Sequence, residues 1–176
     1  MRKISYLFFA VAFMLTCSNA FSQTSIVMKA LDGTTKLNGG STVQGHLNEI
    51  DVLSSSQGED FCTTCTKPSI SDLNIIVLLS PATISFKKLL LKGTKLTSVD
   101  ITYIKGGTTP VEYYKIHMEN VLVENVQESA SSESPTISVA FNSDRVAWQQ
   151  IKTAGTTSKT SYGWDVVNNV EWLYVF

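Results

Sequence analysis

Alternation with a period of two is the feature that most constrains this chain. In Val99-Asp100-Ile101-Thr102-Tyr103 and Ile137-Ser138-Val139-Ala140-Phe141, large apolar side chains occupy every second position. On a pleated strand this puts them on one face and leaves smaller or polar groups on the other. Such strands are half-buried, and a chain made of them must close its apolar faces on each other as a sandwich or a barrel. Leu73 to Leu79 departs from the pattern as a nearly continuous apolar run. It is expected either to be covered on both faces or to be turned into a subunit contact.

Turn chemistry recurs at intervals that suit antiparallel hairpins. Gly39-Gly40, the stretch from Gly58 to Pro68, Gly106-Gly107 and Ser129 to Pro135 separate the apolar segments, and Asn142-Ser143-Asp144 reads as a compact polar link. One segment reads differently. Ser80 as cap, Pro81 in the first turn and Gly93 at a left-handed end bracket a helix over Ala82 to Lys92. Ile84, Leu90 and Leu91 are expected to lie on the barrel, with Lys87 and Lys88 in water. The predicted class is mainly β: an antiparallel two-sheet barrel or sandwich with one short helix.

The N-terminus has the three parts of an export signal. Arg2 and Lys3 are the charged region, Ile4 to Leu15 is an apolar stretch, and Ala20 and Ser22 set cleavage after Ser22, with a site after Ala20 as the alternative. A lipidated Cys17 and an uncleaved anchor are weaker readings, since Met14-Leu15-Thr16 is a poor approach to a lipidated cysteine. Residues 1–22 are thus a signal peptide and 23–176 a single domain, exported to the periplasm or secreted. The signal takes two of the 14 basic residues, leaving 12 against 15 acidic ones and a formal charge of −3. Nucleic acid is not expected as a partner on that charge. No second apolar run spans a membrane.

Cys62-Thr63-Thr64-Cys65 stands in a polar stretch with no second such pair and with both histidines far away in sequence. In an oxidising compartment Cys62 and Cys65 are expected to form a small loop-closing disulfide, with free thiols, a redox role or a metal role as the alternatives. No nucleophile elbow, phosphate loop, zinc-protease motif or calcium loop occurs, and no cofactor or metal site is expected. His46 reads as a hydrogen-bonded side chain near a turn, and His117 as facing away from Ile116 and Met118. Neither Glu112 with Glu119 nor Glu59 with Asp60 comes with an apolar pocket that would separate their pKa values as a glycosidase needs. Trp148, Trp164 and Trp172 read as core first and as a sugar platform second.

Four segments in the last third of the chain carry more information together than singly: Glu112-Tyr113-Tyr114-Lys115-Ile116, Glu119-Asn120-Val121-Leu122-Val123, Thr136 to Asn142, and Gly163-Trp164-Asp165. In order and spacing they resemble the haemolysin-coregulated protein (Hcp) family, the tube proteins of type VI secretion. Upstream, His46 to Ser54, Ser71-Asp72-Leu73 and Lys105-Gly106-Gly107 extend the resemblance over Ser25 to Val170. It implies two sheets closing a barrel, one helix on its side, and a loop reaching a neighbouring subunit. It also implies a non-enzymatic protein whose copies close hexameric rings that stack into a tube, with effectors in the lumen and a spike protein at the tip. Two features depart from the family, the export signal and the cysteines.

On this reading the chain is an exported Hcp-like ring protein, and the other candidate is a monomeric β-sandwich that binds glycan or a surface partner. Gly163, Trp164 and Asp165 are the core signature, with the Trp164 ring packed into the barrel. Lys36, Gly39 and Gly40 in the loop Asp32 to Gly45, and Ile75, Ile76 and Val77 in the apolar run, are the expected interface. Deleting Lys36 to Ser41 is expected to weaken the ring and spare the barrel.

Overall fold

The computed structural model describes residues 24–64, 67–106, 110–130, 134–152 and 157–176. Its strands are β1 (Thr24–Asp32), β2 (Thr35–Lys36), β3 (Ile50–Ser56), β4 (Glu59–Cys62), β5 (Lys67–Ile70) and β6 (Leu73–Leu78), then β7 (Leu96–Lys105), β8 (Val111–Ser129), β9 (Thr136–Lys152), β10 (Ser158–Asp165) and β11 (Val170–Glu171). One helix, α1 (Pro81–Lys92), lies between β6 and β7. Hydrogen bonding runs β9–β6–β3–β1–β7–β8 and returns from β8 to β9, so six strands close a barrel. All these pairings are antiparallel. Among the described residues the chain forms the expected mainly-β barrel with one short helix.

Two long strands make closure possible. β9 pairs with β6 through Leu78↔Thr136 to Leu73↔Phe141 and then with β10 through Asp165↔Arg145 to Ser158↔Lys152, while β8 runs beside both halves. β8 changes direction at a register shift between Val123 and Asn125, close to Asn120, whose φ of 52° is a conformation asparagine tolerates. The polar link expected at Asn142-Ser143-Asp144 is therefore not a turn. Asn142 pairs with Leu122 and Ser143 with Val121 inside β9. Their backbones stay in the ladder while Asn142 donates to Asp72 Oδ1 at 2.9 Å and Asp144 accepts from Lys95 at 2.7 Å.

The apolar run also resolves into alternation. Leu73, Ile75 and Val77 are buried and Asn74, Ile76 and Leu78 are exposed. In one subunit, β6 is covered on a single face, not two. The helix begins and ends where expected, with Ser80 at its N-cap and Gly93 at φ 61°. Its buried face differs, however. Ala82, Thr83, Phe86 and Leu89 point inward, whereas Ile84 and Leu91 are exposed. Phe86 decides this, because its ring meets Phe141 edge-on at 5.6 Å and draws its own side of the helix onto the core.

β4 and β5 form a separate two-stranded sheet that takes up most of the stretch from Gly58 to Pro68, which reads as a loop in the sequence, and runs on to Ile70. β10 and β11 extend the main sheet beyond the closed barrel. This overhang positions the sites described next.

Candidate functional site

The loop after β2 is folded onto β3 and does not hang free. Leu37 N donates to Ala30 O at 2.9 Å, Ser41 N to Glu49 O at 2.9 Å, and Lys36 Nζ to Leu47 O at 2.8 Å. At Gly39 a Cβ would lie 2.3 Å from Ile50 Cα and 2.5 Å from Glu49 O, so this glycine serves a close approach to β3. Gly40 takes φ 83°. Lys36 and Gly40 are exposed, while Leu37 and Ser41 are buried. Removing Lys36 to Ser41 would thus strip two buried side chains and their backbone bonds to Ala30 of β1 and to Glu49 just before β3, contrary to the expectation that such a deletion spares the barrel.

Of the three strand residues expected at an interface, Ile75 and Val77 are wholly enclosed in the core and only Ile76 faces out. Ile76, Leu78 and Leu79, at 40%, 44% and 57% exposure, form an outward apolar ridge, with Leu53 exposed on the neighbouring strand β3.

Gly163, Trp164 and Asp165 divide between the two faces of β10. Gly163 is opposite Ala147, which is opposite His117 and then Asp100. Across this outer face lies the C-terminal segment: Trp172 N donates to Gly163 O at 2.9 Å, and Tyr174 stacks on His117 at 3.9 Å. A Cβ at Gly163 would fall 2.5 Å from Trp172 O. Asp165 is buried and accepts from Asn168 N at 2.8 Å, Arg145 Nε at 2.9 Å and Asn168 Nδ2 at 3.0 Å. Those donors, the Asn168 backbone first and the Arg145 guanidinium next, pull its pKa down to about 2.

Trp164 pairs with Val146, and Val146 with Met118, so it lies on the core side of the sheet. It is nevertheless only half-buried. The expected core packing is incomplete because β10 lies along β9 beyond the stretch that pairs with β6, in the overhang past the closed barrel. Instead a cavity of about 490 Å³ opens between the overhang and the β4–β5 hairpin, lined by Tyr114, Trp148, Tyr162 and Trp164 on one side and Glu59 and Phe61 on the other. In the sequence the platform ranks second to a core role, and the hairpin that completes the cleft falls in a stretch that reads as loop. Tyr162 and Trp164 at alternate positions of one strand were its available signal.

The remaining candidates are dispersed. His46 bonds to Glu49 at 2.9 Å and lies 3.3 Å from Glu112, which also pairs with Lys115 at 2.6 Å. Glu119 pairs with Arg145 at 3.3 Å, so Glu112 and Glu119 serve different networks. Cys62 ends β4 with its Sγ 3.4 Å from Thr64 Oγ1, and Cys65 lies outside the described residues. Among the described residues no group of three or more His, Cys, Asp or Glu is placed to hold a metal ion, and no helix is long and apolar enough to cross a membrane.

The family model for the type VI secretion system effector Hcp matches residues 28–150. Hcp1 from Salmonella typhimurium has the same fold with a TM-score of 0.74 at 22% identity, over 86% of this chain and 100% of that one. A type VI secretion system effector from Yersinia pestis gives 0.68 at 22% identity, over 80% and 99%. Hcp1 from Flavobacterium johnsoniae gives 0.52 at 11% identity, over 80% and 100%. No curated protein matches the sequence. The family match spans the whole barrel from β1 into the second half of β9. The chain belongs to the Hcp family of type VI secretion proteins.

Proposed function

We propose that the mature chain is an exported, ring-forming subunit whose task is geometric: copies close a hexameric ring, and rings stack into a tube or carrier. Family membership supports the ring, and the outward ridge of Ile76, Leu78 and Leu79 supplies apolar surface that a single barrel leaves uncovered. A head-to-tail interface of this type repeats until it closes. Effectors in the lumen and a spike at the tip are the partners this reading brings, and no catalysis is assigned to the chain. The export signal places the ring outside the cytosol, in the periplasm or the medium, away from a cytosolic baseplate. In that compartment Cys62 and Cys65 are joined in a disulfide.

Negative-stain imaging combined with intact mass, on protein recovered from the envelope or medium, tests the whole reading. It predicts ring particles of six-fold symmetry, a mature start at Gln23 or at Phe21, and no thiol labelling without reductant. Retention of Met1 in that material contradicts export, and images without rings contradict the assembly.

A further inference from the structure

The aromatic cleft has no part in ring closure as proposed, and its composition is selective. Tyr114, Trp148, Tyr162 and Trp164 come from β8, β9 and β10, so strand backbones hold their positions. Tyr162 and Trp164 have ring centroids 6.4 Å apart and planes 26° from parallel, which gives one wall two near-parallel rings. Glu59, exposed on the hairpin, is the one charged residue among the described residues lining the cleft.

Ring faces carry negative quadrupole density and a carboxylate carries a full negative charge, so both favour a cation. The walls are otherwise apolar, and a strongly hydrated ammonium would lose water there without replacement bonds. A saccharide meets the same obstacle, because its hydroxyls would find little beyond one carboxylate and two tyrosine hydroxyls. A quaternary ammonium has no N–H to satisfy and a methyl-covered surface that suits aromatic walls. Elsewhere in the chain, ring faces already hold cations: Lys105 Nζ lies 5.0 Å from the Tyr113 centroid and Arg145 5.6 Å from that of Trp172.

We propose that the cleft between the β4–β5 hairpin and the β8–β10 overhang binds a quaternary ammonium group, carried on a free small molecule or a lipid headgroup. All its residues come from one chain, so the site is complete with or without a ring.

Tryptophan fluorescence of the mature wild-type protein, titrated with choline, reads Trp148 and Trp164 directly. Saturable binding is expected, at least about five-fold tighter than for the neutral isostere with carbon in place of nitrogen. Glu59→Gln, a change at an exposed position, is expected to weaken it roughly two- to five-fold, and Trp164→Phe to weaken it with the fold retained by circular dichroism. Co-flotation with phosphatidylcholine vesicles, competed by choline, assigns the lipid source; choline binding without flotation assigns the free molecule. Equal affinity for the neutral isostere, an unchanged Glu59→Gln titration, or binding of cellotetraose without binding of choline overturns the proposal, as does the absence of any saturable choline response.

Discussion

Asp165 shows how one residue ties the turn after β10 to the middle of β9. Its carboxylate holds the turn after β10 through Asn168 and the middle of β9 through Arg145. Its folded pKa of about 2 lies below the unfolded value of ~4. The stabilisation is therefore fully present above pH ~4 and is lost as pH falls through about 2. Asp165→Asn is expected to lower the melting temperature at pH 7, with the gap to wild type closing between pH ~4 and about 2; a pH series of thermal melts reads this. Gly39 makes a different residue-scale point. In the sequence it is one of four glycines from Asp32 to Gly45, and only the fold reveals that Ile50 Cα would sit 2.3 Å from its missing Cβ. Gly39→Ala should destabilise by about 1–3 kcal/mol in urea unfolding, because the contact is with backbone that has no free rotamer to yield. Such close approaches between distant segments leave no mark on local composition.

Among the elements, helix α1 separates what was legible from what was not. Ser80, Pro81 and Gly93 act through local backbone chemistry, and the helix ends where they direct. Its buried face depends on which side chain finds a partner across the barrel, and Phe86 finds Phe141. Phe86→Ala is expected to cost about 3–5 kcal/mol, whereas Ile84→Ala, at a position 67% exposed, should stay within about 0.5 kcal/mol. Chemical denaturation of both variants checks the assignment, and similar losses at the two sites would restore the face expected from the sequence. Strand β6 teaches the same lesson. Its continuous apolar run is two faces with different fates, since Ile75 and Val77 fill the core while Ile76 and Leu78 face out. Trp164 reads in the sequence as a ring packed into the barrel; in the fold its strand position faces the core side while the ring is only half-buried, and the extent of the opposing sheet leaves no mark in the sequence. The cost of Trp164→Ala accordingly falls to about 1–3 kcal/mol, below the figure for a fully enclosed ring.

At the scale of the whole molecule, six strands close on themselves through two long strands, β8 and β9, that pair along most of their length. Ordered motifs in the last third of the chain made this architecture legible, because strand order and turn spacing are properties of the sequence itself. The surfaces were less legible, since alternation distinguishes inner from outer faces without showing which outer face meets a neighbour. Closure removes free edges from the barrel strands and leaves side-chain surfaces to carry assembly. The ridge on β6 is the clearest of these. Sedimentation velocity of the mature wild-type protein beside Ile76→Asp tests this directly. The prediction is a ring-sized species for wild type and a folded monomer for the variant, with matching circular dichroism; a wild-type protein that stays monomeric at high concentration contradicts it.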